Sequence, residues 1–224
     1  MPVANVTLEE CDPVLRKSVD LLVSFVSTTA SLNGRTEELA NETGFAAWAR
    51  RHALGDPDDE GPDEDTGDQP TEADAVAARE LRGALIGVFR AHCDCATARV
   101  DEAELYLRRA ARRYPVMTTI TAGGCRFAAA QDGVLGVFGA ILAAAADVTS
   151  QGLWPRLKMC KNQTCYAGFY DKTRNLSGQF CSPACNSQVS MRAYRERQSR
   201  ERQSRERQKS QEAMSPAAIT FGDE

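Results

Sequence analysis

Four cysteines at the spacing Cys160-x4-Cys165-x15-Cys181-x3-Cys185 constrain this chain more than any other feature. Two thiolate pairs separated by a short loop supply the tetrahedral sulfur set that zinc takes in structural sites. The residues between them suit such a site. Ala167 to Tyr170 reads as a strand, Asn175 to Gly178 as a turn, and Gln179-Phe180 as a return strand that delivers Cys181. Ser182-Pro183 then starts a helix, with serine as N-cap and proline in the first helical position. Phe169 and Phe180 are placed to shield a metal from water. A segment this short cannot fold on an apolar core of its own, so the metal would provide much of its stability. Two other readings use the same residues: buried free thiols, and an iron–sulfur cluster. The paired spacing and the helix start beside it favour zinc.

The chain holds eight cysteines in 224 residues. The N-terminal MPVANVTLEE lacks the basic start and apolar run of a signal peptide. Gly133 to Ala146, uncharged, is short of a bilayer's thickness. A soluble, cytoplasmic protein with reduced thiols and no membrane partner is the expectation. Of the other cysteines, Cys93-x-Cys95 ends a helical pattern, and Cys11 and Cys125 stand alone. They read as structural thiols, with a redox pair as the alternative. Abundant Ala and Arg with little Lys fits a high-GC bacterial genome.

Charge divides the chain. Residues 1–155 carry 14 basic and 24 acidic residues, a net of −10, whereas residues 156–212 carry 13 and 5, a net of +8. Any polyanion is therefore expected at the C-terminal end. Asp56 to Asp74 contains ten acidic residues, three prolines and no basic residue, and reads as a solvated loop over 55–74.

Around that loop the apolar periodicity is helical. It predicts helices over Pro13 to Ser31, Thr36 to His52 with a break near Gly44, Glu72 to about Cys93, Glu102 to Arg113, and Gly133 to Val148. Pro115 to Thr121 and Cys125 to Ala129 flank Gly123-Gly124 as a small hairpin. The fold class expected is mainly α with a small β-hairpin. A helical N-terminal domain would be followed by a treble-clef-like four-cysteine zinc finger and a long basic helix.

The stretch from Trp154 to Arg197 resembles the CGNR-type zinc finger of bacterial proteins. The resemblance rests on RLKMC ending at Cys160, on Cys165, and on the aromatic-Asp-x-Thr-Arg-Asn run from Phe169 to Asn175. It continues through the FCS turn at Phe180 to Ser182, Cys185, and the AYR at Ala193 to Arg195. In that family the finger follows a helical domain called ABATE, described as a stress-induced transcription regulator. Residues 14–153 are similar to that domain in layout. The family's signature tetrapeptide stands here as Cys185-Asn186-Ser187-Gln188, which keeps the ligand and lacks the glycine and arginine. Ser27-Thr28 likewise stands where the family suggests Asn-Thr.

The organisation expected is a tail at 1–13, an ABATE-like domain at 14–153, a finger at 154–197, and a repeat helix with a disordered tail at 198–224. The resemblance implies a zinc-dependent, DNA-binding transcriptional regulator related to stress. Zinc would sit on Cys160, Cys165, Cys181 and Cys185. Phosphate contacts with duplex DNA are expected from Lys172, Arg174, Arg192, Arg195 and Arg197. The helical domain would sense a signal or form a homodimer. The alternative is a zinc-stabilised interaction module that grips a protein such as the transcription machinery. Three RERQ units with a five-residue period follow from Arg195. Successive units advance roughly 140° around a helix, so their arginines form no single stripe, and the repeat also reads as a self-neutralising solvated helix. No nucleophile–base pair or phosphate loop stands out, and His52 and His92 are far apart. An enzyme is not expected.

Overall fold

Asp12 opens the first helix, accepting a hydrogen bond from Val14 N at 3.0 Å beside Pro13 at the helix start. The structure is a computed structural model that describes residues 12–54, 69–93, 99–122 and 124–214. Its helices are α1 (Pro13–Val26), α2 (Glu42–Arg51), α3 (Glu72–Ala91), α4 (Val100–Arg113), α5 (Gly133–Ser150) and α6 (Pro183–Met214). Strands β1 (Val116–Thr121) and β2 (Gly124–Ala129) form one antiparallel hairpin, with Val116 opposite Ala129. Strands β3 (Leu157–Met159) and β4 (Gly168–Tyr170) form a second, with Lys158 opposite Phe169. The mainly helical class with a small hairpin and a C-terminal cysteine cluster matches the expectation.

The chain divides into two units, residues 1–181 and 182–224. In the first, α1, α2, α3 and α5 bury one apolar core. Phe25, Leu39, Phe45, Trp48, Leu81, Phe89, Phe138 and Ile141 are all fully buried in it. Burying a large apolar side chain contributes roughly 1.5–3 kcal/mol, so this cluster is the main source of the unit's stability. Phe25 and Trp48 meet at 4.9 Å between ring centres, and Tyr114 stacks on Phe138 at 4.5 Å. α5 is long and apolar enough by composition to cross a membrane, and half of it is buried inside this fold. It runs to Ser150, past the expected end. The second unit contains α6; at 32 residues the helix extends about 48 Å.

Other boundaries also differ from the sequence expectation: α4 starts at Val100 rather than Glu102, and three further differences have a visible cause. α1 stops at Val26 rather than Ser31 because Thr28 turns inward: its hydroxyl donates to Phe25 O at 2.7 Å. α2 begins only at Glu42, since Asn41 caps it by accepting from Gly44 N at 2.9 Å. Gly44 therefore lies inside the helix rather than breaking it. A Cβ there would sit 2.2 Å from Glu38 O, so the residue allows the preceding chain to cross close by. The acidic stretch lies outside the described residues over 55–68, but its last part is not loop. Glu72 and Asp74 form the first turn of α3, where Thr71 and Asp74 make a reciprocal capping box.

Both histidines of the chain are tied into this unit. His52 Nε2 lies 2.7 Å from Ser24 Oγ, which also accepts from Trp48 Nε1 at 3.3 Å. His92 Nδ1 lies 2.8 Å from Leu157 O, a carbonyl that can only accept, so Nδ1 carries the proton. Burial lowers both imidazole pKa values, helped by Arg51 beside His52 and by Lys158 beside His92. With folded values below the unfolded 6.5, the neutral rings contribute fully above that pH. Their contribution is lost as the pH falls through the folded values. The thermal midpoint is expected to drop as the pH falls below 6.5, and His52→Gln to flatten that drop. An equally steep profile in the variant would show that His52 is not responsible.

Candidate metal centre

The knuckle that carries the first two cysteines is built by backbone hydrogen bonds. Cys160 N donates to Ala167 O at 2.8 Å, and Cys165 N to Asn162 O at 2.8 Å. Asn162 is fully buried, and its Oδ1 accepts from Thr164 N and Oγ1 at 3.3 and 2.9 Å. Tyr166 turns the chain with a left-handed φ of 51°. These bonds fold the four residues between the cysteines into a loop that turns both sulfurs to one side.

The second pair follows the expected helix start. Ser182 Oγ accepts from Cys185 N at 3.3 Å, and Pro183 opens α6. All four sulfur atoms lie within 4.8 Å of one another, and three of the four residues are buried. Cys165 Sγ and Cys181 Sγ are 3.6 Å apart. With Zn–S bonds of about 2.3 Å, a tetrahedral site has sulfur–sulfur edges of about 3.8 Å, so the donor set fits zinc. Burial pushes the Cys160 thiol above its ordinary pKa, while N–H groups of Cys181 and Asn162 pull it down. Donors of this kind around a thiolate are the outer support a metal site needs.

The return strand expected at Gln179-Phe180 does not form. β4 pairs instead with β3, the segment leading into Cys160, and Gln179 contributes one bond, accepting from Lys161 N at 2.9 Å. The reason is a buried ion pair that sequence reasoning missed. Lys158 Nζ donates to Asp171 Oδ2 at 2.7 Å, with side-chain exposures of 4% and 1%. The ammonium also donates to the carbonyls of Leu176 and Gly178, which uses all its protons. Asp171 in turn accepts from Thr173 N, Thr173 Oγ1 and Gly178 N at 2.9, 2.7 and 2.8 Å. A Cβ on Gly178 would lie 2.5 Å from the Asp171 carboxylate, so only glycine admits this approach. Arg156, also buried, donates to the carbonyls of Asp171 and Thr173 at 2.9 and 2.8 Å. The Asp-x-Thr core of the run from Phe169 to Asn175 is thus a folding device. It ties the loop before Cys181 to the strand before Cys160.

The β3–β4 hairpin belongs to the first unit and packs on α1 and α3. The buried Cys93 Sγ donates to Met159 O at 3.3 Å, which makes it a structural thiol. Cys125 is exposed, and Cys11 and Cys95 lie outside the described residues. Lys172 and Arg174 are exposed in the loop after β4, and Arg192, Arg195 and Arg197 are exposed on α6. Phe169 is buried and Phe180 half-buried.

A helical body followed by a cysteine-built knuckle, hairpin and helix defines a small zinc-finger protein. Residues 156–198 match the CGNR zinc finger, and residues 19–152 match ABATE, "Putative stress-induced transcription regulator". The latter covers more than half of the chain, which belongs to the ABATE family and carries a CGNR zinc finger after that domain. A search of curated proteins found no match. Clustered thiolates in a finger of this family make the protein a zinc binder.

Proposed function

We propose that this protein is a bacterial, cytoplasmic, DNA-binding transcription regulator whose finger is organised by zinc on Cys160, Cys165, Cys181 and Cys185. The observation that carries the reading is the four-sulfur cluster at the start of a long helix with exposed arginines. A closed set of four thiolates leaves no open coordination position for catalysis, and a structural, non-enzymatic role follows from it. Zinc supplies a fixed crosslink when bound. The chain's own residues present positive charge to phosphate: Lys172 and Arg174 from the loop after β4, Arg192, Arg195 and Arg197 from α6. The family description supports a regulatory role, in which the ABATE-like domain at 14–153 receives the signal or pairs two copies and the finger at 154–197 engages DNA.

Each phosphate contact releases counterions, so the logarithm of affinity falls with the logarithm of salt by about 0.9 per contact. Replacing Arg192, Arg195 and Arg197 together by alanine in the full chain is expected to lower that slope by about 2–3 and to leave zinc content unchanged. An unchanged slope would remove these arginines from the interface. Capture of a protein partner that persists after nuclease treatment, with no duplex affinity, would replace DNA recognition by the interaction module.

A further inference from the structure

Residues 27–41 connect α1 to α2 without regular structure, and this segment is anchored on two sides. Toward α3, Arg82 makes a two-pronged pair with Glu37, Nη1 to Oε1 at 2.5 Å and Nη2 to Oε2 at 2.8 Å. The same guanidinium donates to Thr28 Oγ1 at 2.9 Å, and both Arg82 and Thr28 are buried. Arg79 adds bonds to the carbonyls of Leu39 and Ala40 at 2.6 and 2.8 Å. The segment is therefore held rigidly to the helical body.

Its other side holds the cysteine knuckle. Asn33 N donates to Thr164 O at 3.1 Å. Arg35 Nη2 donates to Cys165 O at 2.8 Å and to Tyr166 O at 3.1 Å, while its Nε donates to Thr29 O at 2.8 Å. Three consecutive carbonyls of the zinc loop are thus taken by one stretch of the helical body. Just beyond them, Gly168 N donates to Ser27 Oγ at 3.0 Å. A Cβ on Gly168 would lie 2.3 Å from a Val26 methyl, so the hairpin seats directly on the end of α1.

We propose that Arg35 is a positioning residue of the zinc centre, through which metal occupancy and the helical body are energetically linked. The inference rests on the zinc reading above. The reason is geometric: Cys165 presents its sulfur to the cluster while its carbonyl is held by Arg35. Tyr166, in the left-handed region at φ 51°, is held by the same guanidinium. Without that fork, the carbonyls of Cys165 and Tyr166 lose their anchor on the helical body, and the loop is left with the bonds inside the finger and the one from Asn33. Outer hydrogen bonds of this kind typically contribute about 10–100-fold to metal affinity. Because the fork's base is fixed to α3 through Glu37 and Arg82, zinc binding also stabilises the body, and any change in the body reaches the zinc loop.

The test uses the full chain with Arg35→Ala and Arg35→Lys. Arg35 is only half-buried, so neither change opens the apolar core, and far-ultraviolet circular dichroism confirms folding. Zinc affinity is read by competition with a chromophoric chelator. Coupling is read from tryptophan fluorescence melts with and without zinc. Both tryptophans of the chain, Trp48 and Trp154, precede the four cysteines and report on the first unit. R35A is expected to bind zinc about 10–100-fold more weakly and to lose most of the zinc-induced shift in melting temperature. R35K keeps the charge without the planar fork and should fall between. Wild-type affinity and an unchanged shift in R35A would overturn the role of Arg35 while leaving the zinc site standing. Failure of the unmodified chain to take up zinc would overturn the site and the linkage together.

Discussion

Chelation of the zinc-loaded protein is expected to unfold the knuckle and the loops around it while the helical core stays folded. Structural zinc sites in finger peptides contribute on the order of 10–16 kcal/mol, far more than the few apolar contacts of residues 160–185 can replace. Hydrogen exchange separates the two regions. The amides of Cys160, Lys161 and Cys165, bonded to Ala167, Gln179 and Asn162, should lose protection on metal removal. Amides in the middle of α3 and α5 should keep most of theirs, because that core is built from Phe89, Leu85, Phe138 and Ile141. Cys165→Ser is expected to reproduce the chelated pattern at any zinc concentration that saturates the parent. Full protection of the three knuckle amides in the metal-free protein would show that hydrogen bonds alone hold the loop, and that zinc is not its organiser.

The second large effect is expected at the Lys158–Asp171 pair. Removing one member of a buried, fully bonded ion pair leaves an uncompensated charge and costs about 3–5 kcal/mol. Lys158→Met keeps the volume and strands Asp171 with its two Thr173 donors and Gly178. Asp171→Asn keeps the shape, removes the charge, and should also be strongly destabilising. Burial works to raise the Asp171 pKa, but Lys158, Thr173 and Gly178 together hold it below the ordinary carboxylate value. Its folded pKa being depressed, the stabilisation is present above the unfolded value near 3.8. It is lost as the pH falls through the folded value. Denaturant titration of the zinc-loaded chain at neutral pH measures the cost. A K158M midpoint within error of the parent would show that the Lys158–Asp171 pair does not hold the finger's hairpin.

Much of this architecture is legible in the sequence because it depends on short-range patterns. The hairpin at 116–129 is marked by β-branched residues around Gly123-Gly124, and α3 and α5 by apolar periodicity. The four cysteines announce their cluster by spacing alone, and Ser182-Pro183 announces the start of α6. The features that escaped depend on long-range satisfaction of polar groups. Lys158 sits between buried Leu157 and Met159, and a charged residue in a run of inward positions signals a strand only if its partner 13 residues on is known. The same holds for Arg82, which reads as the polar face of a helix until Glu37 and Thr28 are brought to it. Thr36 to Ala40 carries helical periodicity through Leu39, yet Arg79 and Glu37 compete for its backbone and hold it irregular. Arg35 gives no local signal: its role exists only because Cys165 and Tyr166 are folded against it.

The function proposed for this protein is a zinc-organised finger that reads duplex DNA. Its most direct test is fluorescence anisotropy of the full chain with a random-sequence duplex across a salt series, before and after chelation. Affinity is expected to fall steeply with salt and to vanish with the metal. Absence of binding at every salt concentration, or binding that survives loss of zinc unchanged, would contradict the proposed function.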